Sequence, residues 1–401
     1  MDGADSREGR GKLIAATRQL KHDSRGWLVP SQSKKDGGHY RVVPETAECN
    51  CPDYETRAVK CKHQWAVEYY ERRESDGETV TVTRGMRVTY GQEWTAYNNA
   101  QVEEGARFPE LLAKLCADVE QPEQSNGRPR LPLSDMLFAC VYKVYTGFSS
   151  RRFTSDLAAA RERGYIDRVP HFNSVSNYLA NPALTPILQE LVARSALPLR
   201  GIETSFAADA SGFSTSRFVR WYNKKWGRMM DNREWVKAHI MVGTTTGIVT
   251  SVEVIEWQGH DSPYFMPLLE STAREWDMAE VSADKAYLSY ANVEAIEKAG
   301  ATPYIPFKMN SVRMQKKRTR HADNSSWMRM WHAFEYHRED FLAHYHKRSN
   351  VESAFSAIKR KFGDSVRSKS DTGQANEVLC KVLCHNLSVL IHASHTFGIE
   401  I

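Results

Sequence analysis

The chain has 401 residues, of which 41% are hydrophobic and 26% charged, with a formal net charge of +5 and seven cysteines. This composition is typical of a folded protein with two or three domains. No apolar run approaches the ~20 residues of a membrane span, and residues 1–12 lack the apolar core of a secretory signal. We therefore expect a cytoplasmic, nucleoid-associated protein with no membrane partner, in which a disulfide framework is disfavoured.

The first part of the chain predicts a small module between two irregular segments. Residues 1–24 are polar and basic, which predicts a flexible leader, and residues 76–96 predict a polar connector. Between them, residues 25–75 predict a hairpin of two short strands closed by a turn at 36–38, followed by a short helix at 64–73. A unit of this size has too small a core to fold without help, which points to a metal.

Four potential metal ligands in this module follow the pattern Cys-x-Cys, nine residues, Cys-x-His, and they are Cys49, Cys51, Cys61 and His63. Three thiolates and one imidazole complete the tetrahedral shell of a structural Zn²⁺ and leave no open position. The pattern resembles the SWIM zinc finger, which also has a strand hairpin before the ligands. The module is expected to bind DNA through Arg57, Lys60 and Lys62, or to bind protein instead.

The next region, residues 97–197, predicts helices only, at 106–119, 134–145, 149–163 and 174–179. Short helices with tight connections are compatible with a helix-turn-helix, and equally with helical packing that makes no DNA contact. The region is therefore interpreted as a helical domain whose binding to DNA is left open.

From residue 198 to the end, the pattern changes to alternating strands and helices. Strands are predicted at 205–213, 236–245, 248–257, 280–286 and 302–306, with helices between the last three. A helix containing Glu352 and a terminal apolar helix at 376–393 follow. The order β-β-β-α-β-α-β-α predicts an α/β domain with an RNase-H-like mixed sheet flanked by helices. Cys380, Cys384 and His385, in the terminal helix, are expected to be core residues, as are Cys116 and Cys140.

Three acids fall where this fold brings strand ends together. Asp209 lies in the first predicted strand, Asp284 ends the fourth, and Glu352 is on the helix. Strand interiors disfavour Asp, so the two strand acids point to function. Three carboxylates are sufficient to hold the two Mg²⁺ ions, or Mn²⁺, of in-line phosphodiester cleavage, with Asp209 as the bridging ligand. His239 and Asp261 lie nearby but are interpreted as a core residue and a helix cap, and His260 is likewise left out of the catalytic set.

The helix that carries Glu352 has two distinct faces. Tyr345, Arg348, Glu352 and Lys359 fall within an arc roughly 60° wide at helical spacing. A separate apolar stripe, which can pack on a core, consists of Val351, Phe355, Ile358 and Phe362. The spacing Tyr, two residues, Arg, three residues, Glu, six residues, Lys resembles the last catalytic helix of DDE transposases of bacterial insertion sequences. Asp209 and Asp284 match the first two acids of that family, over about residues 100–398.

The resemblance implies a metal-dependent enzyme of DNA transposition. Asp209, Asp284 and Glu352 would be the catalytic metal ligands, while Tyr345 and two cations would bind the ends of the transposon; the cations are Arg348 and Lys359. It also implies double-stranded DNA as the partner and a homodimer on that DNA. Three basic segments in the same half of the chain agree with a DNA partner, at 217–228, 306–321 and 343–369.

Two alternatives remain open at this point. A plain nuclease of the same fold would hydrolyse DNA and transfer nothing. A DNA-binding regulator descended from a transposase would bind DNA without catalysis. The presence of all three acids and both helix cations favours the transposase.

Overall fold

The computed structural model describes residues 7–31, 38–44, 46–76, 93–127, 129–215, 235–256, 261–308 and 325–401. The chain divides into two compact units, Met1–Gly91 and Gln92–Ile401. Several features of the sequence lie outside the described residues: most of the turn at 36–38, His260, the basic segment 217–228 and most of 306–321. Among the helices of the described ranges, none combines the length and the apolar character that a membrane span requires.

The N-terminal unit is built on a four-stranded sheet in the order β1-β2-β3-β4. Its elements are α1 (Arg7–Thr17), β1 (Lys21–Asp23), β2 (Gly26–Pro30), β3 (His39–Val43), β4 (Glu48–Cys49), α2 (Pro52–Arg57) and α3 (Lys62–Asp76). Antiparallel pairing of β2 with β3 sets Trp27 opposite Val42 and Val29 opposite Tyr40, which confirms the predicted hairpin.

The predicted flexible leader is wrong from residue 7 onward, because α1 packs against α3. Ile14 and Ala15 of α1 are buried. The two helices approach closely at Gly11, where an added Cβ would lie 2.4 Å from the Cβ of Trp65. A glycine thus permits the contact that holds an otherwise weak helix in place.

The C-terminal unit begins with helices, as predicted for residues 97–197. They are α4 (Trp94–Ala117), α5 (Leu133–Thr146), α6 (Phe153–Glu162), α7 (Phe172–Leu179) and α8 (Leu184–Ala196). Their apolar faces belong to the same hydrophobic core as the sheet that follows. The helical region is therefore not a separate compact unit, and no unit boundary falls at residues 197/198.

The sheet of this unit has the order β7-β6-β5-β8-β9, and β10 also pairs with β5. Its strands are β5 (Ser205–Thr215), β6 (Trp235–Gly243), β7 (Val249–Glu256), β8 (Glu280–Ala283), β9 (Thr302–Tyr304) and β10 (Ser365–Val366). The first three strands are antiparallel, whereas β8 runs parallel to β5 and β9 parallel to β8. Helices α9 (Phe265–Ala273) and α10 (Tyr290–Lys298) make the connections to β8 and β9. This topology confirms the predicted RNase-H-like fold.

In the described residues after β9, the helices are α11 (Ser326–Tyr336), α12 (Arg338–Tyr345), α13 (Ser349–Phe362) and α14 (Asp371–Phe397). The sequence predicts one α-helix for Tyr345 and Glu352, and this prediction is wrong. A 3-10 turn at His346–Arg348 separates α12 from α13. The apolar stripe of α13 is buried as predicted, with Phe362 partly buried. The long α14 packs against α4, α5, α8 and β7, and so joins the helical region to the sheet.

Candidate active site and zinc cluster

Asp209 and Asp284 lie side by side at the edge of the sheet. β5 and β8 pair in parallel with Ala208 opposite Ala283, so the next residue of each strand is an acid. The Asp209 carboxylate accepts a hydrogen bond from the N–H of Ala210 at 2.9 Å. Asp284 accepts one from the N–H of Lys285 at 2.6 Å and begins a 3-10 turn. The parallel pairing of β5 with β8 therefore places the two carboxylates next to each other, Asp209 within β5 and Asp284 directly after β8.

The third acid reaches this pair through Arg348. Nη1 of Arg348 donates to Oδ2 of Asp209 at 2.6 Å, and Nη2 donates to Oε1 of Glu352 at 2.7 Å. The side chains of Arg348 and Asp209 are 17% and 19% exposed, whereas that of Glu352 is 60% exposed. One guanidinium thus bridges two of the three predicted metal ligands.

The electrostatics of the site favour a bound cation. Burial raises the pKa of Asp209, and the negative charge of Asp284 raises it further, although the Ala210 N–H and Arg348 act in the opposite direction. Burial opposes the charge of Arg348, but the surrounding carboxylates, Asp209 foremost, raise its pKa above the ordinary value. The acids therefore repel each other and are stabilised by positive charge.

The carboxylates suit a hard divalent cation in type, since Mg²⁺ prefers oxygen ligands and needs few from the protein. They do not converge on one position, however. Within the described ranges, the only group of three or more potential ligands close enough to hold an ion is the cysteine cluster of the N-terminal unit. The guanidinium of Arg348 lies between Asp209 and Glu352, so these two acids can share an ion only after Arg348 changes partner.

The two other predicted DNA ligands also lie near the acids. Nζ of Lys359 donates to Oγ of Ser211 at 2.7 Å, two residues beyond Asp209 on β5. Burial lowers the pKa of Lys359. The ring of Tyr345 lies 6.0 Å from Cζ of Arg348, and burial raises the pKa of its phenol.

Polar contacts from neighbouring elements fix both ends of α13. Before it, Glu280 of β8 pairs with His344 and Lys347. After it, Nζ of Lys381, which is 2% exposed, donates to the carbonyls of Gly363 and Ser365 at 2.8 Å each. None of these anchors is evident from sequence spacing, because their partners are up to 67 residues away.

A further set of polar side chains lies beside the acids, and for two of them, His239 and Asp261, the sequence predicts a core residue and a helix cap. His239 is fully buried, as expected, and its Nδ1 lies 2.9 Å from the hydroxyl of Tyr287. Asp261 begins a 3-10 turn, but its side chain makes no capping hydrogen bond and pairs instead with Lys237. The predicted helix-cap role of Asp261 is therefore wrong. The position of Tyr287, three residues after Asp284, is the one sequence signal that marks this group.

The cysteine cluster brings four potential ligands together from three elements: Cys49, Cys51, Cys61 and His63. Cys49 ends β4, Cys51 precedes α2, and the other two flank the start of α3. All four ligand atoms lie within 4.8 Å of one another and all four residues are buried. The sulfur atoms of Cys49 and Cys61 each lie 3.9 Å from Nδ1 of His63.

The donor set fits a tetrahedral Zn²⁺. Nε2 of His63 is buried and has no hydrogen-bond partner in the described part of the chain, so the imidazole is not committed elsewhere. A hydrogen bond from Cys49 lowers the pKa of the Cys61 thiol, whereas the same contact raises the pKa of Cys49 and burial raises that of Cys51. A bound cation would favour the thiolate form of all three. The Gln64 side chain holds the loops around the cluster by accepting from the Cys61 N–H and donating to the Ala47 carbonyl.

The cysteines of the C-terminal unit are core residues, as predicted. Cys116, Cys140, Cys380 and Cys384 are all buried. Cys384 donates to the carbonyl of Val141 at 3.6 Å, and Nε2 of His385 lies 2.9 Å from the carbonyl of Gly247. These side chains already contact backbone oxygens and do not form a ligand set.

Comparison with known protein families gives two matches. A Transposase DDE domain matches residues 201–387, and a SWIM zinc finger matches residues 40–71. The first range contains all three acids, and the second contains the whole cysteine cluster. No curated protein and no solved structure matches the chain. A transposase-type function, with DNA and divalent metals as its implied partners, is thereby supported. The chain carries a transposase DDE domain preceded by a SWIM zinc finger.

Proposed function

We propose that this chain is a transposase that nicks DNA at transposon ends and joins the freed 3′-OH to target DNA. The observation that carries the proposal is the bridge from Arg348 to Asp209 and Glu352 beside Asp284, inside the transposase DDE domain. Asp209, Asp284 and Glu352 would hold two Mg²⁺ ions, or Mn²⁺. These ions would supply activation of the attacking oxygen and stabilisation of the leaving oxygen.

Arg348 links DNA binding to this site. A guanidinium binds phosphate through two parallel hydrogen bonds, as it binds a carboxylate. A phosphate of the transposon end would therefore compete with Asp209 and Glu352 for Arg348. When Arg348 turns to the phosphate, both carboxylates lose their internal cation and become available as ligands.

Lys359 and Tyr345 would extend this contact along the DNA. Both side chains are about half-buried, so they are held near the site and lose little conformational freedom on binding. Lys359 would exchange its hydrogen bond with Ser211 for a phosphate oxygen, and Tyr345 would contact the DNA end.

One site can perform both reactions, because water and a 3′-hydroxyl present the same attacking atom. In each reaction the chain would hold the phosphate by its cations and offer the acids as ligands. The enzyme would act as a homodimer on double-stranded DNA. The zinc cluster would be structural, since its four ligands leave no open position.

A strand-transfer assay tests the proposal. The purified protein is incubated with Mg²⁺, a supercoiled target plasmid and labelled duplexes that contain the inverted repeats flanking the gene. We expect label joined to the plasmid, and none with the Asp209→Asn protein. Nicks without transfer would indicate a plain nuclease, and binding without nicks a regulator.

A further inference from the structure

A buried hydrogen bond connects the segment that carries Asp284 to the strand beside Asp209. Tyr287 ends the 3-10 turn that begins directly after Asp284, and it is 0% exposed. Its hydroxyl lies 2.9 Å from Nδ1 of His239 on β6. His239 stands opposite Ala210, the residue that follows Asp209 on β5. The bond thus spans the two places where the first and second acids are attached.

The second nitrogen of His239 faces another carboxylate. Nε2 is buried 4.0 Å from Oδ1 of Asp261, and it has no hydrogen-bond partner in the described part of the chain. Asp261 in turn pairs with Lys237, which holds the carboxylate in place. On the remaining side, the ring of Tyr264 packs against the imidazole with centroids 4.9 Å apart.

These contacts determine which nitrogen carries the proton. Burial lowers the pKa of His239 to about 4, so the imidazole is neutral at pH 7 and has one donor and one acceptor. The negative charge of Asp261 favours the proton on Nε2. Nδ1 is then the acceptor, and Tyr287 donates its hydroxyl proton to it. Asp261 therefore sets the tautomer that lets Tyr287 bond to His239.

Tyr287 itself is not a nucleophile. Burial raises the pKa of its phenol, and the charges of Asp261, Asp209 and Asp284 raise it further, so the hydroxyl stays protonated. Its contribution is therefore geometric.

We propose that Tyr287, His239 and Asp261 are positioning residues that hold the turn after β8, and with it Asp284, at a fixed separation from Asp209. The inference rests on the proposed function, in which these two carboxylates bind divalent metal. Without the bond, the turn keeps its backbone and apolar contacts and the hydrogen bond from the Asn292 side chain to the Tyr287 carbonyl at 2.7 Å. It loses the link to β6, and the two carboxylates take up more positions. Metal affinity falls as a result, while the fold and the cations that hold DNA stay as they are.

The test is Tyr287→Phe, which removes only the hydroxyl. Mn²⁺ binding to the full chain in complex with a transposon-end duplex is measured by calorimetry, with Asp209→Asn on the same duplex as the blank. We expect about 10-fold weaker binding, the usual size of an effect transmitted through a ligand's neighbours. The Mg²⁺ concentration for half-maximal nicking should rise by the same factor, with the rate at saturating Mg²⁺ close to that of the unchanged chain.

Tyr145→Phe is the matched control. Tyr145 also donates a hydrogen bond from a partly buried hydroxyl, to Glu104 at 3.0 Å, but it lies on α5, which carries none of the acids. It should lower the melting temperature to a similar extent and leave Mn²⁺ binding unchanged. This control separates a loss of stability from a loss of ligand positioning.

Two further variants test the role of the imidazole. His239→Gln keeps a donor and an acceptor, whereas His239→Leu keeps neither. The His239→Gln protein should therefore bind Mn²⁺ more tightly than the His239→Leu protein. Combining His239→Leu with Tyr287→Phe should weaken binding no more than either change alone, because both remove one bond. Unchanged Mn²⁺ affinity in Tyr287→Phe would overturn the inference. If the unchanged chain binds no Mn²⁺ and does not nick DNA, the proposed function fails first.

Discussion

The two groups of potential metal ligands in this chain differ in what their ligand atoms already contact. In the cysteine cluster, four ligand atoms lie within 4.8 Å of one another, and Nε2 of His63 has no hydrogen-bond partner in the described part of the chain. In the carboxylate site, Arg348 donates to both Asp209 and Glu352. The first group is ready for an ion that stays, whereas the second has to release an internal cation first. A structural site and a site that loads with its substrate need these opposite properties.

The largest effect should come from loss of the cluster. Cys49→Ala, Cys61→Ala or chelation should remove one Zn²⁺ per chain and unfold residues 25–75, because zinc binding contributes on the order of 10 kcal/mol to such modules. A fragment from residue 100 onward should stay folded. Metal analysis and limited proteolysis measure both effects. A protein that contains no zinc as purified would contradict the assignment.

The next largest effect concerns catalysis. Asp209→Asn, Asp284→Asn and Glu352→Gln each remove one anionic ligand at nearly constant shape. Each should reduce Mg²⁺-dependent nicking by at least about 1,000-fold, roughly 4 kcal/mol in the barrier, and leave binding of transposon ends largely intact. Gel assays on the same duplex measure both the rate of nicking and the affinity for the transposon end. Full activity of any one variant would remove that acid from the site.

A smaller effect sharpens the contrast between the two sites. Arg348→Ala and Lys359→Ala should weaken binding to end DNA and reduce its salt dependence by about 0.9 in log–log slope per lost phosphate contact. Arg348→Ala should also tighten Mn²⁺ binding in the absence of DNA, since the competing cation is gone. Fluorescence anisotropy at several salt concentrations and calorimetry measure these changes.

Lys298→Ala is the control for this pair, because Lys298 is an exposed helix lysine paired only locally with Glu294. Its removal should change neither the slope nor the affinity for Mn²⁺. If Arg348→Ala and Lys359→Ala behave like Lys298→Ala, their proposed phosphate contacts are wrong.

The smallest effect is expected for the second set of cysteines. Cys384→Ala replaces a buried thiol that donates only weakly to the Val141 carbonyl, and it should cost about 1 kcal/mol of stability. Zinc content should stay the same, in contrast to Cys49→Ala. A loss of zinc from Cys384→Ala would show that the two groups are not as different as their contacts indicate.

Much of the fold could be predicted because its signals are local. The strands of the C-terminal sheet alternate or run apolar and end in turn residues. Asp209 stands within the first of these strands, Asp284 directly after the fourth, and Glu352 on the helix that follows. The helix at Arg7–Thr17 could not be predicted, since it depends on a contact between Gly11 and Trp65 that is far away in sequence. The 3-10 turn before α13 was also missed, because it preserves helical backbone angles on both sides.

The sequence predicts which residues form the site, but not which of them contact one another. Spacing identifies Arg348 and Glu352 as neighbours on a helix, but it does not say whether a guanidinium pairs with an acid or faces solvent. The role of Asp261 was missed for the same reason. An Asp before Ser-Pro is typical of a cap, and only the position of Lys237 on β6 gives the carboxylate another partner.

The anchoring of α13 determines how fast the site can respond to DNA. The helix is tied to β5 at both ends, by Arg348 at its start and by pairing of β10 with Ser214 and Thr215 after its end. A helix held in this way does not swing as a body, a motion that takes microseconds to milliseconds. Arg348 can change partner by rotation of its side chain, within picoseconds to nanoseconds. Under the proposed function, the arrival of a DNA end would then set the rate at which the acids become available, with no contribution from a hinge motion of this helix.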